Sequence, residues 1–109
     1  RFGAKKEVGS AAGMTLQVSP NAQVVSPCDG EVIFADNFRD FGLIIIIAHG
    51  ADYHSLISGL NESYPAVGTW VMKGEPIGVM PAANGQIKPK LYLELRRKNL
   101  PINPSPWFK

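Results

Sequence analysis

The stretch Leu43-Ile44-Ile45-Ile46-Ile47-Ala48, which runs into His49-Gly50, decides the fold class of this chain. Its four consecutive isoleucines show no alternation of apolar and polar residues, which is typical of a strand with both faces covered. A buried helical turn could give the same run, but the short length and the β-branching favour a strand. We therefore expect residues 43–48 to form a central strand.

Short runs of β-branched and aromatic residues surround this strand, separated by Gly, Pro and Asn residues that favour turns. No longer stretch has the i, i+3, i+4 apolar spacing of an amphipathic helix. The glycine turns between valine-rich arms at residues 25–32 and 67–79 are typical of small β-sandwich or barrel-sandwich folds. The chain is predicted to be mainly β, with further strands at Thr15–Val18, Gln23–Val25, Gly30–Asp36, Tyr53–Leu60, Trp70–Val71, Pro76–Met80 and Lys90–Arg96.

The last of these strands alternates between apolar and polar side chains. Because successive strand residues point to opposite faces, its leucines are expected to face the core together: Leu91, Leu93 and Leu95. The other face would carry four side chains toward solvent or a ligand, namely Lys90, Tyr92, Glu94 and Arg96.

The length, charge and composition of the chain limit the kinds of function it can have. The 109 residues suffice for one domain with one core. The net charge is only +2 and the basic residues are scattered, which excludes an extended nucleic-acid surface. No apolar run is long enough for a membrane span, and no signal sequence opens the chain. The single cysteine, Cys28, has no disulfide partner, and its apolar neighbours predict a partly buried, unreactive thiol.

Six short motifs follow one another along nearly the whole chain. They are Gly13-Met14-Thr15-Leu16, Val25–Val32, Gly42–Gly50, Val67-Gly68, Gly74-Glu75-Pro76-Ile77-Gly78 and Leu91–Arg96. In this order and spacing the chain resembles the LytM, or lysostaphin-type, metallopeptidase family. The resemblance implies one LytM-like domain over residues 1–109, a β-sandwich of the duplicated-hybrid-motif type with an open groove.

The resemblance also identifies where this chain departs from active members of that family. Those members hold zinc with an H-x-G-x-D motif and the second histidine of an H-x-H motif, and further histidines serve catalysis. A catalytic zinc needs about three donors of the His, Asp, Glu or Cys type. The matching positions here hold unsuitable residues: Ala11, Thr15, Gly59, Lys90 and Tyr92. We therefore expect no bound zinc or other cofactor, and no peptide-bond hydrolysis.

The two histidines, His49 and His54, are the remaining candidates for metal ligation. They lie five residues apart across a predicted turn, and no second cluster of ligating residues completes a site around them. Structural roles are predicted for both.

Within the family, Gly13-Met14 and residues 91–97 and 101–107 resemble the degenerate LytM domains of EnvC-type murein hydrolase activators. The resemblance implies a non-catalytic domain that binds and activates a periplasmic N-acetylmuramoyl-L-alanine amidase, which splits septal peptidoglycan in cell division. The contact would be the amidase's regulatory helix, and the zinc would belong to the amidase. Because such domains usually follow a coiled coil, residues 1–109 are expected to be the C-terminal part of a longer periplasmic protein of a Gram-negative bacterium.

A groove without its metal can still accept a helix or an extended segment from a partner. We expect it to be lined by Thr15, Ile57, Gly59, Lys90, Tyr92, Glu94 and Arg96. Three alternatives stay open: a passive module that holds peptidoglycan in the groove, a zinc endopeptidase with a rearranged site, and a biotinyl-like or lipoyl-like carrier modified at Lys73. From pattern alone, the polar face of the last strand could also be a solvated edge.

Overall fold

The computed structural model of the protein describes residues 11–50 and 52–97, without the side chains of Ala11, Ala12 and Phe41. Within this part of the chain, a 3₁₀ turn at Arg39–Phe41 follows the third of nine strands. The strands are β1 (Ala11–Gln17), β2 (Gln23–Val25), β3 (Gly30–Asn37), β4 (Leu43–Gly50), β5 (Tyr53–Leu60), β6 (Glu62–Ser63), β7 (Trp70–Val71), β8 (Pro76–Val79) and β9 (Lys90–Arg97).

These strands form two antiparallel sheets. The larger has six strands in the order β1-β9-β5-β4-β3-β7, and the smaller has three in the order β2-β8-β6. Strand β4 lies between β5 and β3, so both of its edges are hydrogen-bonded. Its isoleucines, Ile44–Ile47, are at most 1% exposed. The predictions of a mainly β fold and of a doubly covered central strand are confirmed.

Each face of β4 belongs to a different apolar cluster. Ile45 and Ile47 pack with Ile57, Val71 and residues of the small sheet, which together form the inner core between the sheets. Ile44 and Ile46 pack with Leu56 on the outer face of the large sheet. That outer cluster is covered by Ile33, Phe34, Phe38 and Tyr92. The four-isoleucine run therefore supplies both sides of the large sheet.

A β-bulge on β3 helps to cover the outer face. The register shifts between Val32 and Phe34, so Ile33 is an extra residue opposite β4. Both Ile33 and Phe34 then contact the outer cluster, although adjacent residues of a regular strand point to opposite faces. The bulge thus places two large side chains beside the surface on which Tyr92 lies.

Several expectations from the sequence need correction. Strand β1 begins at Ala11 and ends at Gln17, where Thr15–Val18 was predicted. Leu95 is 41% exposed, so its predicted place in the core is wrong, although Leu91 and Leu93 do pack there. Cys28 is exposed and not partly buried. No helix within the described ranges has the length and apolar character needed to cross a membrane.

Candidate functional site

The pairing of β1, β9 and β5 brings most of the predicted site residues onto the outer face of the large sheet. Tyr92 lies opposite Thr15 on β1 and opposite Ser58 on β5. Two residues further along β9, Glu94 lies opposite Gly13, and Arg96 follows at the next position on this face. Because register partners share a face, these side chains lie beside the outer apolar cluster. We call this surface the groove face.

Tyr92 lies directly against β1. A Cβ atom built on Gly13 would be 2.7 Å from the Tyr92 Oη atom and 3.2 Å from Cζ. A side chain at this position would displace the end of the tyrosine ring from its place on β1. Gly13 stands between Ala11 and Thr15, the two altered positions of the H-x-G-x-D motif. The aromatic ring therefore covers the strand between the places where the resemblance puts two metal ligands.

Tyr92, Glu94 and Arg96 form a hydrogen-bonded ladder along β9. The Tyr92 hydroxyl donates to Glu94 Oε1 at 2.6 Å, and Arg96 Nε donates to Glu94 Oε2 at 2.5 Å. The Glu94 side chain is only 5% exposed, whereas that of Arg96 is 25% exposed. A buried carboxylate needs such partners, because an unpaired charge in the interior is costly. Glu94 therefore holds both neighbours in place.

The same surroundings keep the Tyr92 hydroxyl protonated. Burial raises the pKa of Tyr92, and the hydrogen bond to Glu94 and the charge of that carboxylate raise it further. The positive charge of Arg96 acts in the opposite direction but is the smallest influence. Tyr92 is thus a neutral donor at physiological pH and not an anionic metal ligand.

The residues on the groove face do not fit a catalytic zinc. The hydroxyl of Thr15 is a poor zinc donor, the Lys90 ammonium has no free lone pair, and Tyr92 already donates its proton to Glu94. Both oxygens of Glu94 are engaged by its neighbours. Across residues 11–50 and 52–97, no three His, Cys, Asp or Glu side chains lie close enough to share a metal ion.

Comparison with known proteins identifies the family of this fold. The model of peptidase family M23 matches residues 9–104. The chain belongs to peptidase family M23. It is 36% identical over 96 residues to the murein hydrolase activator EnvC of Escherichia coli K12. The aligned region is 88% of this chain and 23% of EnvC. It is also 25% identical to the cell division protein DipM of Caulobacter vibrioides, over 95% of this chain and 18% of DipM.

Solved structures agree with this assignment. The structure of LytU superposes with a TM-score of 0.72 at 19% identity, over 97% of this chain and 79% of LytU. A zinc-containing peptidase from Vibrio cholerae superposes with a TM-score of 0.67 at 25% identity, over 85% of this chain and 28% of that one. The LytM-type fold is confirmed. The chain spans about a quarter or less of the curated relatives it matches.

Not every residue predicted for the groove of this M23 domain lies there. Ile57 is 1% exposed and packs in the inner core, so its predicted place in the groove is wrong. Its neighbour Leu56 takes part in the outer cluster instead. Gly59 has no space for a side chain, since a Cβ atom there would be 2.4 Å from the Lys90 carbonyl oxygen. Its φ of 106° also favours glycine.

Sequence reasoning missed the apolar part of the groove face. Ile33, Phe34 and Phe38 cover one side of the cluster that Tyr92 covers on the other. These three large apolar residues in and after β3 are visible in the sequence, but the bulge that turns Ile33 and Phe34 to one face depends on pairing with β4. The groove face therefore combines half-buried apolar side chains with a polar ladder.

The two histidines of the M23 domain lie on opposite sides of the large sheet. The ring of His49 bridges the Asp29 carbonyl oxygen and the Ser55 hydroxyl, each at 2.7 Å, on the inner side. His54 pairs with Ala48 and Arg96 in register, which places it on the groove face. Burial is the main effect on the pKa of His54 and lowers it, although the nearby Asp52 acts in the opposite direction. The two rings therefore cannot share a metal ion.

Proposed function

We propose that this M23 domain is not a peptidase and that its groove face binds and activates a periplasmic N-acetylmuramoyl-L-alanine amidase. The observation that carries the proposal is the Tyr92–Glu94–Arg96 ladder, packed on Gly13 where the family pattern places metal ligands. A hydrolytic zinc would need the space that the Tyr92 ring fills, and ligand atoms that are not already hydrogen-bonded to one another. The ladder instead offers an aromatic ring and a cation as contacts for a partner.

The groove face has the composition of a protein interface. Tyrosine and arginine are common anchors at interfaces, and half-exposed apolar side chains beside them add area that a partner can bury. Here Tyr92 and Arg96 stand beside Ile33, Phe34 and Phe38, which are half-buried in the free domain. An amphipathic helix of the amidase would place its apolar side on these three residues and its polar side along the ladder.

Removal of a regulatory helix from the amidase's own zinc site would then activate the enzyme. A contact with one helix buries about 800 Å² per partner or less, which suits a reversible switch. The names of two relatives, a murein hydrolase activator and a cell division protein, support a role in peptidoglycan splitting at division. We further propose that residues 1–109 form the C-terminal domain of a longer periplasmic protein with an upstream coiled coil.

The proposal is tested by blocking the groove face without disturbing the core. Thr15 is exposed and lies opposite Tyr92, so Thr15→Arg would place a long charged side chain in the path of a helix. Thr69→Arg is the matched control, because Thr69 is also exposed but precedes β7 at the far edge of the large sheet. The readout is release of dye from labelled sacculi by a purified autoinhibited amidase.

Wild-type domain and Thr69→Arg should stimulate the amidase within twofold of each other, and Thr15→Arg should lose about tenfold or more of the stimulation. Equal stimulation by all three folded proteins would sink the proposal. Sacculi treated with the domain alone form the parallel arm. Cleavage of cross-links by the domain alone would favour the alternative function, a zinc endopeptidase. A zinc-containing peptidase from Vibrio cholerae has a similar fold.

A further inference from the structure

The groove face has an acidic side, formed by two residues of β3. Asp36 pairs with Ile44, which belongs to the outer cluster. Glu31 pairs with Ala48, and Ala48 pairs with His54 on the groove face. Because register partners share a face, both carboxylates border the groove face. Both residues are exposed, and β3 contains no basic residue. The β3 side of the groove face is therefore negatively charged.

The opposite side of the groove face is basic. Lys90 is exposed and lies on the same face of β9 as Tyr92, two residues further along. Arg96 lies near the other end of β9. Glu94, the acidic residue between them, is buried and hydrogen-bonded to Tyr92 and Arg96. The edge strand β1 beyond β9 contains no charged residue. The β9 side therefore has a net positive charge.

Three of these charges are not neutralised within the domain. Among residues 11–50 and 52–97, no ion pair includes Glu31, Asp36 or Lys90. The hairpin turn after β3 adds Arg39 and Asp40, which are exposed and of opposite charge, so the turn adds no net charge to the acidic side. The charges on the two sides of the groove face are therefore available to a partner.

The distance between the two sides matches the width of one helix. Strands β9 and β3 are three positions apart in the large sheet, or about 14 Å at ~4.8 Å per strand. A helix with its side chains is about 10–12 Å wide, so it would reach both sides, whereas a single extended segment would reach only one. Along β9, Lys90 and Arg96 are six residues apart, about 20 Å, which is the length of about four helical turns.

We propose that the opposite charges of β3 and β9 fix the direction in which the partner helix lies on the groove face. Turning a helix end for end keeps its apolar side on the sheet but exchanges its two flanks. Only one direction therefore pairs acidic residues of the helix with β9 and basic residues with β3. The partner is a helix of about four turns whose apolar stripe separates an acidic flank from a basic flank. This inference rests on the proposed function and adds the charge pattern of the partner.

The first test measures the affinity of the domain for a purified autoinhibited amidase at low salt. Glu31→Lys on the acidic side and Lys90→Glu on the basic side should each weaken binding about fivefold, because an attractive charge pair becomes a repulsive one. Glu62→Lys is the matched control, an exposed glutamate on a strand of the small sheet, and should bind within twofold of wild type. Raising the salt to about 0.3 M should reduce the fivefold effects to less than twofold, because salt screens exposed charges.

The second test reads the direction of the helix. A photo-reactive amino acid replaces Gln17, which is exposed and pairs with Lys90 at one end of the groove face. Irradiation of the complex with the amidase, followed by mass spectrometry, should show cross-links to one end of the regulatory helix only.

Two results would overturn the inference and leave the proposed function standing, provided that Thr15→Arg loses the stimulation. One is an affinity within twofold of wild type for both Glu31→Lys and Lys90→Glu. The other is an equal yield of cross-links from Gln17 to the two ends of the helix, which would show that the helix lies in either direction. If Thr15→Arg stimulates the amidase as wild type does, the proposed function fails, and this inference fails with it.

Discussion

Removing the Tyr92 hydroxyl tests whether the ladder on β9 is a buried, cooperative element. In Tyr92→Phe the ring remains on Gly13, but Glu94 Oε1 loses the donor 2.6 Å away. The Glu94 side chain is 5% exposed, so water cannot fully replace that donor. A hydrogen bond to a charged group contributes about 1.5–3 kcal/mol. Because Tyr92 itself is only partly buried, we expect a loss near the lower end, about 1.5 kcal/mol.

Tyr64→Phe is the matched control for this substitution. The Tyr64 hydroxyl also takes part in a hydrogen bond, accepting from Gln23 Nε2 at 3.2 Å, but Tyr64 is 45% exposed and its partner is neutral and exposed. Water can replace that bond, so the expected loss is below about 0.5 kcal/mol. Each variant thus lacks one tyrosine hydroxyl, which is half-buried in Tyr92 and exposed in Tyr64.

The assay is urea unfolding followed by tryptophan fluorescence, with the midpoint and the slope fitted for all three proteins. A change in midpoint at constant slope reports a change in folded-state stability. If Tyr92→Phe and Tyr64→Phe unfold at the same urea concentration, or if Tyr92→Phe is as stable as wild type, the ladder is not the interaction described above.

Three further predictions concern the protonation of Tyr92 and His54 and the close packing of the backbone at Gly59. Because the pKa of Tyr92 is raised above its ordinary value of 10.0, wild-type stability should fall as the pH rises above 10, and Tyr92→Phe should show a smaller fall in urea titrations at each pH. Because burial lowers the pKa of His54 below 6.5, wild-type stability should fall as the pH drops below 6.5, and His54→Gln should flatten that fall; an unchanged pH profile would refute the assignment. Gly59→Ala should cost at least about 2 kcal/mol more than Gly85→Ala, because both have positive φ but only Gly59 meets the Lys90 backbone; equal melting temperatures would contradict this.

The sequence was most informative where side-chain type alone decides structure. The isoleucine run of β4 and the Gly and Pro turns predicted most strands, since β-branching and turn chemistry act locally. The start of β1 was missed because Ala11, Ala12 and Gly13 have little strand preference. They are extended because β9 pairs with them. Glu62–Ser63 was missed for the same reason, as pairing with β8 makes it a strand.

The site was predictable in part. Alternation placed Tyr92, Glu94 and Arg96 on one face of β9, and the structure agrees. The sequence of β5 does not alternate at Ser55, Leu56, Ile57 and Ser58, and all four residues are buried. The face of Ile57 is therefore set by its register with Leu93 and not by its neighbours.

Two further features of the site depend on contacts between distant segments. The burial of Glu94 depends on the strands packed beside it, since a charged residue in an alternating strand is ordinarily exposed. The exposure of Leu95 depends on how far the residues of the inner core extend along that face of the sheet. Neither could be predicted from the sequence of β9 alone.

We propose that this M23 domain directs hydrolysis by another enzyme and performs none. The most direct measurement is mass spectrometry of the fragments released from sacculi, with zinc supplied, by the domain alone, by an autoinhibited amidase alone and by both together. The domain alone should release no fragments, and the mixture should release more amidase products than the amidase by itself. Fragments cut within the cross-linking peptides by the domain alone, and abolished by a chelator, would contradict it.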